Sequence, residues 1–177
     1  SHKTAKKVTF VAVTKTVDTE KILDLYHLGI RDLGENRVNM LLQKAEDLKE
    51  YTDINWHFIG HLQRNKVKKI IPIVKYIHSV DSLRLAETIN AQCKTLNKKT
   101  KILLELNVSG EESKDGFTKK ETLDNLDMLS KYNNIELVGF MTMAPFSASS
   151  DELRKIFKSL REFAILINSQ KESIIKF

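Results

Sequence analysis

Cysteine is almost missing from this sequence of 177 residues, since Cys93 is the only one. A single cysteine cannot form a disulfide within the chain, and it cannot build a metal cluster that needs several thiolates. Such a composition is typical of proteins that fold in a reducing compartment, where disulfides are rare. We therefore expect a cytoplasmic protein.

Long apolar runs are also missing. No stretch approaches the roughly 20 residues that a membrane-spanning helix requires, and the basic start SHKTAKK lacks the apolar core of a secretory signal. Apolar residues make up 41% and charged residues 29% of the chain, ordinary values for a globular protein. With no linker or low-complexity stretch, we predict one domain over residues 1–177 and no membrane partner.

The charge of the chain is moderately positive. Lysine and arginine number 29 against 23 aspartates and glutamates, which gives a net charge of +6. An excess of this kind favours acidic partners, but the basic residues are spread along the chain except for one cluster, Arg64 to Lys69. We interpret that cluster as a solvated helix face rather than a nucleic-acid patch, so we predict no nucleic-acid partner.

Strand-like and helix-like patterns alternate along the chain. The predicted strands cover residues 8–14, 30–33, 54–60, 74–80, 101–108 and 135–143, and residues 173–177 resemble the start of a seventh. The predicted helices cover residues 19–28, 38–48, 65–71 and 83–96, a fifth opened by the capping box Thr118 to Glu121, and a sixth opened by Ser149 and Glu152.

Six βα units in series imply parallel strands joined by helical crossovers. Two architectures have this pattern, the doubly wound open sheet and the closed (β/α)₈ barrel. No Gly-x-Gly-x-x-Gly follows the first strand, which weakens the dinucleotide-binding alternative. We predict a TIM-type barrel that is incomplete at its C-terminus, because nearly every strand ends in polar residues: Lys15, Asn36, His61 or Gln63, Ser79 and Asp81, Asn107, and Thr142.

Lys15 lies at the end of the first predicted strand, two positions after the apolar and β-branched run Val8 to Val13. A lysine amine has an ordinary pKa of about 10.4 and is a poor nucleophile as a cation. Partial desolvation beside Val11 and Val13 would favour the neutral amine, which forms Schiff bases with aldehydes. A surface lysine at a strand end explains the pattern equally well.

Other polar residues have simple structural explanations when each is taken alone. Asn36 suits a helix cap as well as a ligand contact. His57 lies inside a predicted strand and His61 lies beyond it, so the two side chains need not converge. Because no carboxylate accompanies them in the sequence, we predict no metal site.

The loop of the fifth unit carries Glu111, Glu112 and Asp115, which fit a solvated loop better than an acid–base pair. Met141 and Met143 share one strand face and line either the core or a planar ligand. The nucleophile elbow of serine hydrolases is missing, and we assign no catalytic residue.

Taken together, six motifs resemble the pyridoxal phosphate homeostasis protein family. They occur in the order of that family between residues 12 and 146, and the resemblance extends over residues 8–177. The motifs are AVTKT, LGENRV, WHFIGHLQRNK, HSVDSLRLA, LNVSGEESKDGF and GFMTMAPF. The resemblance implies a barrel like the N-terminal domain of alanine racemase. It also implies bound pyridoxal 5′-phosphate (PLP), with Lys15 as the lysine of the covalent aldimine and Asn36 near the cofactor ring. We further predict that His57 and Met141 bind the cofactor.

The same resemblance implies a role in PLP homeostasis without established turnover. Family members are usually monomeric, and apo-PLP enzymes are possible recipients of the cofactor. A PLP-dependent racemase is the alternative, although it needs a second acid or base across the cofactor. Relative to the family, most of the leading helix and the last strands are absent, and we expect the phosphate contacts in that last part.

Overall fold

A single parallel sheet organises the part of the chain described by the computed structural model, residues 8–108 and 115–170. Its six strands are numbered in chain order: β1 Ala12–Val13, β2 Asp32–Glu35, β3 Asn55–Phe58, β4 Tyr76–Val80, β5 Thr100–Glu105 and β6 Ile135–Met141. Every neighbouring pair is parallel, as the six βα units predicted.

The strand order decides between the two candidate architectures. Each strand lies beside the next one in sequence, from β1 at one edge to β6 at the other. A doubly wound sheet reverses its order at a switch point, whereas a barrel winds in one direction throughout. The predicted TIM-type barrel fold is therefore confirmed, although hydrogen bonds between the described strands do not close it into a ring.

Helices follow the strands as predicted. They are α1 Thr19–His27, α2 Val38–Asp47, α3 Val67–Ile70, α4 Leu83–Thr95, α5 Lys119–Ser130 and α6 Ser150–Gln170, and the 3₁₀ turn Arg64–Lys66 leads into α3. No helix in the described part of the chain is long and apolar enough to cross a membrane.

Three predicted helix starts are confirmed by their capping bonds. The Asp18 carboxylate accepts a bond from the Lys21 amide at 3.0 Å at the start of α1. Thr118 and Glu121 form the reciprocal capping box of α5, and Ser149 and Glu152 form that of α6. Each box satisfies backbone N–H groups that the first helical turn leaves unpaired.

The predicted first strand was too long. Only Ala12 and Val13 pair with β2, while Val8 is 89% exposed and Phe10 is 69% exposed. The apolar pattern indicated burial, but burial requires a neighbouring element, and β1 is an edge strand of the described sheet. The predicted seventh strand, 173–177, lies outside the described residues.

The two faces of the sheet differ in polarity. The outer face packs against the helices and forms the core, with the fully buried residues Leu33, Phe58, Ile77, Ile102 and Leu104. Alternate residues point to the opposite, inner face, where the register places His57 between Gly34 and Tyr76. The inner face is therefore rich in polar and aromatic groups.

Gly60 brings the loop after β3 against the loop after β2. A Cβ atom on Gly60 would lie 2.2 Å from the carbonyl oxygen of Asn36, and the Ser79 hydroxyl donates a hydrogen bond to the Gly60 carbonyl. No side chain fits at that position, so only glycine lets the ends of β2, β3 and β4 approach this closely.

We predict that Gly60→Ala lowers the free energy of unfolding by more than about 2 kcal/mol, because a methyl group would displace the Asn36 backbone. Gly139→Ala is the matched control, since its Cβ would meet nothing closer than Leu103 at 3.9 Å, and we expect a change within about 1 kcal/mol. Urea denaturation of both variants measures the difference, and equal stabilities would contradict the close approach.

Candidate functional site

Lys15 lies just beyond the carboxyl end of β1. Its side chain is exposed, and it forms no hydrogen bond or ion pair with any described residue. The partial desolvation that we expected from Val11 and Val13 is not seen, because Val13 itself is 51% exposed at the edge of the described sheet. The amine of Lys15 is thus accessible and has no partner within residues 8–108 and 115–170.

Asn36 lies at the corresponding end of the neighbouring strand. The ladder between the two strands continues through the Thr14 amide, which donates to the Gly34 carbonyl at 2.9 Å, so Lys15 and Asn36 follow adjacent strand ends. Asn36 is half-buried. It lines an open groove of about 570 Å³ together with Arg37, Val38, Asn39, Met40, His61, Gln63 and Lys66.

His57 lies deeper, within a chain of hydrogen bonds on the inner face. Its Nε2 is 3.0 Å from the Asp32 carboxylate, and its Nδ1 is 2.8 Å from Nε2 of His78. The ring also stacks on Tyr76, with centroids 4.4 Å apart and planes 7° from parallel. Both ring nitrogens therefore already have partners inside the protein.

The hydrogen-bond partners determine which ring nitrogens of His57 and His78 carry a proton. Because a carboxylate only accepts, we assign the proton on His57 to Nε2, which leaves Nδ1 to accept from His78 Nε2–H. Burial lowers the pKa of His57, and the Asp32 carboxylate opposes part of that shift. Burial and the neighbouring His57 lower the pKa of His78 to about 4, so both rings are neutral at neutral pH.

His61 lies at the carboxyl end of β3 with acidic neighbours that the sequence did not indicate. Its Nδ1 is 3.4 Å from the Asp81 carboxylate and 3.6 Å from the Asp115 carboxylate. Burial raises the pKa of Glu105 close by, and the charges of Asp81 and Asp115 raise it further. Chain folding thus collects carboxylates from three separate segments beside this histidine.

Met141 is the last residue of β6 and pairs with Glu105 of β5 in the register. Its side chain is half-buried on the inner face. The next residue, Thr142, donates its hydroxyl to the Leu106 carbonyl at 2.8 Å. Thr142 therefore fixes the end of β6 against β5, and Met141 is the side chain that faces the interior.

The sequence did not reveal a buried polar network behind Lys15. The Lys44 ammonium donates to the Thr14 carbonyl at 2.7 Å and to the Glu35 carboxylate at 2.7 Å. The Thr14 hydroxyl donates to the same carboxylate oxygen at 2.6 Å. The sequence does contain one signal for this network, because helical spacing places Lys44 on the apolar face of α2 with Leu41 and Leu48, which predicts its burial.

Comparison with known proteins places the chain among relatives. Residues 1–176 match the alanine racemase N-terminal domain family. A pyridoxal phosphate homeostasis protein of Synechocystis is 40% identical over 163 residues, which cover 92% of this chain and 75% of that protein. This chain belongs to the pyridoxal phosphate homeostasis protein family. The family predicted from the six motifs is therefore confirmed.

Two further relatives of this homeostasis family define the extent of the similarity. The human pyridoxal phosphate homeostasis protein is 39% identical, and the match covers 77% of this chain but only 52% of the human protein. The structure of PipY from Synechococcus elongatus with PLP bound is 30% identical with a TM-score of 0.87, and it covers 95% of this chain and 78% of that one. The chain thus spans between about half and about three quarters of these relatives.

Alanine racemase of Clostridium difficile is a more distant structural neighbour of this chain. Its complex with cycloserine gives a TM-score of 0.72 at 18% identity, with 94% of this chain and 46% of that chain covered. At this identity the likeness shows the shared fold alone. It agrees with the barrel that the strand order indicates.

We predict that stability falls as the pH drops from 6.5 toward 4, partly because of His57 and His78. Their pKa values are lowered in the folded state, so the unfolded chain binds more protons in this range, and stability is regained as the pH rises. The free energy of unfolding should depend on pH less steeply in His78→Gln, by up to about 1 kcal/mol per pH unit. Urea titrations between pH 4 and 7 measure the slopes, and parallel curves would contradict the prediction.

Proposed function

We propose that this chain binds PLP covalently through Lys15 and serves in PLP homeostasis as a carrier or regulator of the cofactor. The observation that carries the proposal is the exposed amine of Lys15 at the carboxyl end of β1, which has no partner in the part of the chain that the structure describes. The relatives support it, because one is named for PLP homeostasis at 40% identity and another has PLP bound at 30% identity.

The residues fit the chemistry of the cofactor. PLP presents an aldehyde, which condenses with a primary amine to form a C=N bond while one water molecule leaves. Such a reaction requires an amine that is free to approach, and Lys15 has no described hydrogen-bond or ion-pair partner to release. The carboxyl end of a parallel barrel is also where such folds hold their ligands.

The other proposed residues lie on the inner face of the sheet or at the carboxyl ends of its strands. Asn36, next to Lys15 across the strand ends, offers an amide to polar groups of the cofactor. Met141 supplies an adaptable apolar surface from the inner face. Both ring nitrogens of His57 are occupied by Asp32 and His78. His57 therefore supports neighbouring groups rather than donating a hydrogen bond to the ligand.

We propose further that the chain forms one barrel domain without amino-acid turnover and passes PLP to apo-enzymes that lack it. Racemisation and decarboxylation need a second acid or base positioned across the cofactor. The Lys15 amine is one such group, and we assign no second one to face it. An amino-acid racemase remains the alternative, which the likeness to alanine racemase supports only at the level of fold.

We predict that borohydride reduction of the PLP-loaded protein fixes a pyridoxyl group on Lys15. Reduction converts the C=N bond to a stable amine, so peptide mapping by mass spectrometry identifies the modified lysine. Lys15→Ala should lose the label and the PLP absorption band. Lys21→Ala is the matched control, because Lys21 is an exposed lysine on α1 whose amine is paired with Asp24 at 3.3 Å.

Two outcomes would overturn the assignment of Lys15. One is a label found only on other lysines of the wild-type protein. The other is full labelling in Lys15→Ala, since the accessible amine would then be dispensable.

We also predict no racemase or decarboxylase turnover by the PLP-loaded protein. Typical enzymes turn over at about 10 per second, and we expect rates no higher than those of free PLP with single L-amino acids. Chiral chromatography and carbon dioxide release measure the two reactions. Turnover within a few orders of magnitude of the typical value would favour the racemase alternative.

A further inference from the structure

The side chains of Thr14, Glu35 and Lys44 form a buried network, which we call the Lys44 network, on the outer face of the sheet behind Lys15. The relative exposure of these residues is 0% for Thr14, 0% for Glu35 and 3% for Lys44. They come from the end of β1, from β2 and from α2. One cluster thus connects three elements of the fold.

The Lys44 ammonium contacts the backbone at the point that precedes Lys15. It donates to the Thr14 carbonyl at 2.7 Å, and that carbonyl belongs to the peptide group that joins Thr14 to Lys15. The Glu35 carboxylate holds the ammonium in place at 2.7 Å and accepts the Thr14 hydroxyl at 2.6 Å. The network therefore restrains both the main chain and the side chain of the residue before Lys15.

The sheet itself holds this part of the chain weakly. β1 contributes only two residues to the ladder, and beyond them the Thr14 amide makes one more bond, to Gly34. The Thr14 carbonyl receives a second, longer bond from the Val17 amide at 3.2 Å. The Lys44 ammonium is thus the closest donor to the carbonyl group next to Lys15.

The network is not an efficient way to stabilise a core. A buried ion pair often contributes less than apolar residues of the same volume, because both charges lose their hydration. In addition, Oε2 of Glu35 is buried and has no hydrogen-bond partner among the described residues, and leaving a buried acceptor unsatisfied is costly. Stability alone therefore does not explain an ion pair at this place.

We propose that the Lys44 network positions Lys15 for its reaction with PLP. The inference rests on the proposed function of Lys15 and adds Lys44 and Glu35 as positioning residues on the opposite face of the sheet. By holding the Thr14–Lys15 peptide group in one orientation, the network directs the Lys15 side chain toward the interior of the barrel. Displacements of about 1 Å at a reacting group can cost about 100-fold in rate.

The decisive variant removes both charges together. Glu35→Met with Lys44→Met leaves no unpaired buried charge, so the protein should fold with a melting temperature equal to or above that of the wild type. PLP affinity should nevertheless fall by about tenfold or more, and borohydride trapping at Lys15 should slow by a similar factor. The pH at which trapping is half-maximal should also shift, a change that a merely structural role would not cause.

Lys98→Met is the matched control. The Lys98 ammonium also binds backbone carbonyls, those of Ile71 at 2.7 Å and Val74 at 3.1 Å, but these lie near the amino end of β4. This variant should lower the melting temperature and leave PLP affinity and the pH profile of trapping unchanged. A second charge-free pair, Glu35→Gln with Lys44→Gln, provides the same comparison if the methionine pair fails to fold.

The outcomes separate this inference from the proposed function. Wild-type affinity and trapping in a folded charge-free pair would overturn the positioning role and leave Lys15 as the PLP lysine. Absence of trapping at Lys15 in both the wild type and Lys98→Met would instead overturn the proposed function. Equal losses of affinity in Lys98→Met and the charge-free pair would show general destabilisation and also overturn the positioning role.

Discussion

The parallel direction of all strands is the constraint on which the rest of the structure depends. Parallel neighbours bring every carboxyl end to one edge of the sheet, so residues that are far apart in sequence meet there. Lys15, Asn36 and His61 follow three successive strands in this way. The same constraint requires a helical crossover between strands, and the helices cover the outer face. Polar side chains therefore concentrate on the inner face and at the carboxyl ends.

The pattern of the sequence was sufficient for the order and type of the elements, because that information is local. Hydrophobic period, capping residues and glycine all act within a few positions, and the boxes at Thr118 and Ser149 formed as expected. The length of β1, in contrast, does not depend on the local sequence alone. Whether Val8 and Phe10 are buried depends on elements that pack beside them, and an apolar run carries no information about those elements.

The candidate site divides along the same line. The positions of Lys15 and Asn36 could be predicted, because each follows the end of a strand and parallel strands have their carboxyl ends on the same side of the sheet. Partners could not be predicted, since the hydrogen bonds of His57 to Asp32 and His78 join residues separated by 25 and 21 positions. The ion pair of Lys44 and Glu35 was missed for a further reason: helical spacing placed Lys44 on the apolar face, where a lysine is ordinarily taken for an exposed residue. Burial of an amine becomes plausible only when its acceptors are known.

The partners of the lysines narrow the choice of amine for the proposed reaction with PLP in a chain this basic. Lys44 is buried and bonded to a carbonyl and a carboxylate, so its amine is neither accessible nor free to react. Lys75 donates to Asn55 at 2.9 Å, and Lys101 lies over the Tyr76 ring at 5.3 Å. Lys15 differs from all three because its amine is exposed and unpaired among the described residues, at the end of a barrel strand. Exposure alone does not select this amine, since Lys68 and Lys99 are also exposed and their amines have no described partner. Under the proposed function, the position of Lys15 just beyond the carboxyl end of β1 is what distinguishes it.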